Sequence, residues 1–333
     1  MEVRAERYPQ MSARADDRAR CTQTLAMIEV PTTVQPVRGR WRRSGWTRLS
    51  HGLHVPIVRT LTDELRAWSE VLPSGAAFTH LTSAEVRQWW LPAAVPHPVF
   101  AALREGDPVP HRRGLFVSRH PSRPAAELVD GLPVTSAAET LLAAARDLGV
   151  LDLVVMGDSA LRLGHCTVED LMTAAVRRRR GAPLLRLVIG LLDSRSESAW
   201  ESIMRVLHQA ADIEVEPQYE VFDGWGRFVA RGDLLITGTR RLHEYDGAGH
   251  RDAETHLSDL SRDRRLIEVD WQRCGLTARE LLREGGSIIA SVDRLLGRSW
   301  DPRHLARWDN LIAESLLGSR GRARALDHWR RAA

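Results

Sequence analysis

The sequence predicts an α/β protein of the α+β kind, and three observations point there. From Asp193 onward the chain reads helix, three strands, helix, strand, helix. Upstream of it, apolar helical segments mix with strand signal. The composition, 43% hydrophobic and 27% charged over 333 residues, suits a globular chain, long enough for roughly two domains.

Taken in order, residues 1–30 are polar and lack period, which predicts a flexible arm. A mixed unit follows over 31–190. Its opening, 38–56, interleaves arginine and tryptophan between turn-forming glycines (Arg40, Trp41, Arg42, Arg43, Gly45, Trp46), as a short basic β-ribbon does. Planar cations beside flat aromatics suit a phosphate backbone and its bases; a surface hairpin with its indoles packed down explains the pattern equally well. Thr60 to Ser69 and Ser83 to Trp90 read as helices, Arg113 to Ser118 as a strand, and Thr135 to Leu148 and Leu151 to Leu163 as apolar helices. Thr167 caps a further helix, which runs into Arg177, Arg178, Arg179 and Arg180. Four arginines at a helix C-terminus complement its dipole; a phosphate site is the other reading.

The second unit, 193–298, opens with a helix over Ser198 to Ala211 whose buried stripe is Trp200, Ile203, Met204 and Leu207. Strands are predicted at Pro217 to Phe222, Arg227 to Ile236 and Arg240 to Asp246. A charged helix follows at Ala253 to Ile267, then a strand at Glu268 to Cys274 and a helix from Thr277 to Leu296 broken at Gly285-Gly286. The basic tail, 299–333, reads as helical.

All 47 basic residues are arginine; the chain has no lysine. That excludes a P-loop lysine, a Schiff-base lysine for pyridoxal phosphate and a lysine general base, so neither a nucleotide nor a pyridoxal cofactor is expected. The net charge of +4 is unevenly spread. Between 193 and 298 there are 15 Arg against 20 acids, a net of −5, whereas the rest of the chain carries +9. Basic flanks permit a nucleic-acid partner. Cys21, Cys166 and Cys274 are scattered without ligand spacing, as in a reducing cytoplasm. No signal peptide or membrane span is read from the sequence.

The sharpest chemistry lies in the hairpin about Gly238. Folded on a turn at Thr237 to Arg240, it sets Asp233 directly opposite Glu244. Cross-strand neighbours have Cβ atoms ~5 Å apart, and like charges there destabilise the sheet unless a cation holds them. Asp246 shares a face with Glu244. Three carboxylates at one sheet end offer oxygen ligands suited to Mg²⁺ or Mn²⁺. His250, just past Gly247, is placed to move a proton. Glu201 joins from the preceding helix, either as a ligand or as the end of a Ser198 capping box with an i,i+4 partner in Arg205. Arg262 and Arg264, on the following helix, are candidate phosphate contacts, or else partners of Asp259 and Asp263.

Ser198-Ala-Trp-Glu201, Arg231-Gly-Asp233, Glu244-Tyr-Asp-Gly-Ala-Gly-His250 and Asp259-Leu-Ser-Arg-Asp263 together resemble the PD-(D/E)XK nuclease superfamily, in the branch similar to very short patch repair endonucleases. The resemblance implies a restriction-endonuclease-like αβββαβ core over 193–298, with Mg²⁺ or Mn²⁺ held by Asp233, Glu244 and Glu201, and Asp246 where the superfamily usually has lysine. That branch often ends its last core strand with an arginine where this chain has Gly275. Upstream, Arg48-Leu-Ser-His-Gly-Leu-His-Val-Pro56, His80-Leu-Thr-Ser-Ala84, Leu132-Pro-Val-Thr-Ser136 and Asp158-Ser-Ala-Leu-Arg162 resemble the AbiEi-type antitoxin or transcriptional-regulator module, with only the wing of its winged helix left. The resemblances imply a DNA endonuclease of the cytoplasm or, from another class, a DNA-binding regulator with a relic nuclease-like domain; they also imply a possible toxin or other protein partner.

Overall fold

The computed structural model describes residues 37–38, 44–247 and 253–332. The expected arm at 1–30, the basic positions Arg40, Trp41, Arg42 and Arg43, and the proton carrier His250 lie outside the described residues. The class is α+β: among the described residues, helices pack on three sheets.

β1 (Val37–Arg38), β2 (Trp46–Ser50) and β3 (Leu53–Pro56) form the small antiparallel ribbon in the order β1-β3-β2. α1 (Leu61–Ser69) begins at a complete Thr60/Asp63 capping box, which satisfies two orphan amides. β4 (Ala77–Phe78), α2 (His80–Val86), β5 (Val99–Arg104), β6 (Leu115–His120), β7 (Ala126–Val129) and β8 (Leu132–Thr135) follow, and their five strands form a mixed sheet ordered β6-β5-β4-β8-β7. α2 starts three residues before the predicted Ser83. That hydroxyl is buried, 2.8 Å from Thr140 Oγ1, and so belongs to the core rather than to a cap. Of this sheet the sequence pattern marks only β6, because β4 has two residues and β5 is apolar on both faces, which removes alternation.

α3 (Ala137–Ala144), α4 (Val150–Arg162), α5 (Val168–Ala175) and α6 (Ala182–Ile189) complete the first half. α3 starts two residues later than predicted. Thr135 instead ends β8, its hydroxyl bonded to Thr79 and Thr140.

The second half shows the predicted αβββαβ order. α7 (Ala199–Ala210) precedes β9 (Val215–Phe222), β10 (Phe228–Ile236) and β11 (Arg241–Tyr245); α8 (Ala253–Glu268) then crosses to β12 (Gln272–Leu276). The sheet runs β12-β11-β10-β9, with β11 and β12 parallel and the other pairs antiparallel. β12 lies four residues later than its predicted start, since Asp270 at φ 63° turns the chain after α8. α9 (Ala278–Arg283) and α10 (Gly285–Leu295) divide at the predicted glycines. A Cβ on Gly285 would meet the Trp308 ring at 2.6 Å, so the glycine admits that indole.

α11 (Pro302–Glu314) and α12 (Ser319–Ala332) form the tail. The tail is an integral layer, with Trp308 and Trp329 fully buried in the same core as Phe100, Val154 and Ile203. Burial of two indoles contributes on the order of several kcal/mol. Among the described residues no helix is long and apolar enough to cross a membrane.

Candidate active site

α7 brings Glu201 to the sheet. The helix begins at Ser198, whose hydroxyl accepts the Glu201 amide at 3.2 Å. The Glu201 side chain does not return to the Ser198 amide to close a capping box. Its Oε2 accepts the Glu197 amide at 2.6 Å and the Gln218 side-chain amide of β9 at 2.9 Å. Arg205, one turn on, pairs with Asp158 of α4 at 2.6 Å rather than with Glu201. The Asp158 carboxylate, fully buried, also accepts Ser202 Oγ at 2.6 Å and the Asp193 amide at 2.8 Å, fastening α7 to α4.

The β10–β11 ladder pairs Leu234 with His243 and Leu235 with Leu242. Continued by one residue, that register sets Asp233 opposite Glu244, the pairing the turn length predicts. A side chain at Gly232 would meet Leu242 at 2.8 Å, so glycine lets the two strands close beside the acids. Asp233 and Glu244 share the sheet face of Leu235 and Leu242, which pack with Leu266 of α8, by the two-residue alternation of strands. His243 faces the other way, 3.0 Å from His208 of α7.

The three acids differ in their compensation. Glu244 is 5% exposed and held by two arginines: Arg262 Nη1 donates to its Oε2 at 3.1 Å, and Arg273 Nη1 to the same oxygen at 2.9 Å. Arg262 also contacts the Arg231 carbonyl, and Arg273 pairs with Asp263 at 2.8 Å. Two guanidinium forks on one buried carboxylate are strong, charge-assisted contacts. Among the described residues Asp233 accepts the Tyr245 amide, at 2.9 Å. Burial pushes Asp233 up to about 6, with Glu244 adding to the rise against the Tyr245 amide and Arg262. Burial, and next the Asp233 carboxylate, push Glu201 up to about 7. Asp246 lies over β12, its amide donating to the Leu276 carbonyl at 2.8 Å.

The donor set fits a hard divalent cation at Glu201 and Asp233. Both are half-buried oxygen ligands, and each has a proton affinity raised first by burial and then by a neighbouring carboxylate. Glu244 is different, because its charge is already met by arginine. Accordingly, among the described residues no three His, Cys, Asp or Glu converge on one point.

Of the expected phosphate contacts, Arg262 faces Glu244, while Arg264 is exposed. Trp46 is half-buried in β2, and free Cys166 and Cys274 are separate. Sequence reasoning assigned no role to Arg273, Gln218 or Glu197, and took Arg231 only as part of the Arg231-Gly-Asp233 motif. Glu197 bridges Arg231 at 2.9 Å and Arg162 at 3.2 Å, a link between α4 and β10 at the rim. For Arg273 the available signal was alternation, since it stands two residues from Gly275 on the same strand face.

No known protein family matches the chain, and no solved structure does. Two uncharacterized proteins of Mycobacterium tuberculosis, MT2308 and Rv2248 from two strains, are each 29% identical to it over 175 residues. The match covers 51% of this chain and 64% of each relative, so less than two thirds of their own length is spanned.

Proposed function

We propose that this protein is a metal-dependent DNA endonuclease hydrolysing phosphodiester bonds, with Mg²⁺ or Mn²⁺ as its cofactor. The observation that carries the reading is the half-buried Glu201 and Asp233, both raised in proton affinity, beside the buried cross-strand Glu244 in an αβββαβ core. Glu201 and Asp233 are the cation ligands, with Glu244 completing the set when its arginines turn to substrate. A bound cation would supply an activated water and charge stabilisation at the scissile phosphate. The chain's own groups do the rest. Asp246 and His250 hold and move protons, and Arg262 and Arg264 grip phosphate by planar forks. The basic, tryptophan-bearing segment Arg40, Trp41, Arg42, Arg43 and Trp46 gives backbone affinity that an acidic unit lacks. Such a protein works in the cytoplasm, where its DNA is.

A second reading, a non-catalytic DNA-binding regulator of antitoxin type with a toxin or other protein partner, is favoured by one observation: Glu244 is already neutralised by Arg262 and Arg273. Incubation of supercoiled plasmid with pure protein and Mg²⁺ or Mn²⁺, beside Asp233→Asn, separates the two. Metal-dependent nicking lost in the variant supports the endonuclease. Absence of nicking on every DNA form, with no Mn²⁺ binding by calorimetry, rejects it in favour of the regulator.

A further inference from the structure

We infer that the arginine run after α5 lines a second site, remote from the carboxylates, that binds a compact chain of phosphates. On a convex helix end these four arginines would be separately solvated. Here they line, together with Arg146 and Arg186, an open concavity of about 620 Å³, three of the four remaining exposed. The turn is fixed by Gly181 at φ 88°, where a Cβ would meet the Leu142 carbonyl at 2.6 Å. Only glycine lets the run press against α3 in that conformation.

The charge in this cavity is not balanced by protein. Among the described residues Glu139 is the one carboxylate ion-paired with any of the six, and it is shared between Arg177 and Arg179. Arg146 donates to Ser118 Oγ at 2.6 Å and Arg186 to the Ala175 carbonyl at 2.6 Å, neither of which removes a charge. Arg178 and Arg180 are exposed and have no partner among the described residues. The local field is felt at His120, which burial and then Arg179 push down to about 4. Like charges gathered in a concavity repel, and an anion of high charge density relieves them. Guanidinium forks match phosphate oxygens two at a time, and the free Arg178 and Arg180 with the still-charged Arg146 and Arg186 offer more donors than one phosphate accepts. A run of linked phosphates is the chemistry that fits.

The site is separate from the acids. Arg162, at the C-terminal end of α4, pairs with Glu197 beside them, whereas the cavity meets residues 145 and 146, just before the helix begins. The thirteen residues of α4 span about 20 Å at 1.5 Å each. The linked phosphates come either from a nucleic-acid backbone or from a free oligophosphate such as a nucleoside polyphosphate.

Calorimetric titration of the full chain with sodium tripolyphosphate tests the site. One-to-one binding, weakened at least about tenfold in Arg178→Ala/Arg180→Ala and unchanged in Asp233→Asn, is expected; the two arginines hold nothing in the fold, and an unchanged melting curve confirms that. A DNA duplex arm identifies the source. Duplex binding weakened by the same double substitution and competed by tripolyphosphate assigns the site to a nucleic-acid backbone; duplex binding indifferent to both assigns it to a free oligophosphate. Absence of tripolyphosphate binding, equal binding by the double variant, or loss of binding in Asp233→Asn overturns the inference. Because the readout is binding, failure of the endonuclease proposal leaves this test intact.

Discussion

The Asp246 carboxylate occupies the space a side chain at Gly275 would need: a Cβ there would lie 2.4 Å from Asp246 Oδ2 and 3.0 Å from its Cγ. Gly275 and Asp246 are therefore coupled positions. The cations that face Glu244 are Arg273, two residues before Gly275, and Arg262 of α8.

Gly275→Ala tests that relationship. The carboxylate is at the end of a side chain that can rotate, and alanine suits a strand better than glycine by roughly 0.5 kcal/mol. Thermal melting is expected to change by no more than a few degrees. Metal-dependent nicking is expected to fall by about tenfold, as in Asp246→Asn. Full nicking by Gly275→Ala would separate Asp246 from the chemistry.

Asp233→Asn is expected to stabilise the fold at neutral pH while abolishing cleavage. The folded-state value near 6 stands above the ordinary 3.8. Between those values the folded chain keeps a proton that the unfolded chain has lost, so stability falls as pH rises through the window. Asparagine keeps an acceptor for the Tyr245 amide and removes the charge. At pH 8 the gain is expected to be about 1–3 kcal/mol, at about 1.4 kcal/mol per pKa unit; at pH 4 the two proteins are expected to unfold at nearly the same urea concentration.

Arg205→Met leaves Asp158 buried without its cation. Breaking one side of a buried pair costs about 3–5 kcal/mol. Arg205→Met/Asp158→Asn is expected to recover much of that loss, since the asparagine Oδ1 still accepts the Asp193 amide and its Nδ2 donates to the Ser202 hydroxyl. Denaturant melts of the three proteins measure it. Equal stability of the wild type and Arg205→Met would show that the α4–α7 fastening is not at this pair.

Asp147→Asn probes the docking of the C-terminal helix. Asp147 accepts Trp329 Nε1 at 3.2 Å and pairs with His80 at 3.2 Å and His328 at 2.9 Å. The substitution is expected to cost about 2–4 kcal/mol, as a buried charged network is broken. Wild-type stability is expected to decline below pH 6.5, because burial lowers the His80 pKa and the unfolded chain takes up the proton first. At still lower pH, protonation of Asp147, whose folded pKa lies below its ordinary value, removes the remaining contribution. A flat melting temperature from pH 8 to 5 would contradict this account.

Much of the carboxylate site was legible in the chain because its determinants are local. A turn length sets the cross-strand register, and Asp233 therefore falls opposite Glu244 without reference to anything distant. Ser198 caps α7, and Gly285-Gly286 divides two helices, for equally short-range reasons. The starts of α2 and α3 were misplaced where a hydroxyl, on Ser83 or Thr135, joined a buried network instead of serving as a cap. Strands apolar on both faces, such as β5, leave no alternation to read.

The sequence by itself determined that every Lys/Arg-type cation here is a planar guanidinium, that Asp233 stands opposite Glu244, and which side chains alternate onto one face. Only the tertiary structure decided whom those cations meet. Arg205 takes Asp158 rather than Glu201, Arg262 and Arg273 converge on Glu244, and the arginine run lines an open concavity at Gly181. The physical reason is range. Backbone periodicity acts over a few residues, whereas ion pairing depends on separations and desolvation that exist only once distant segments are packed.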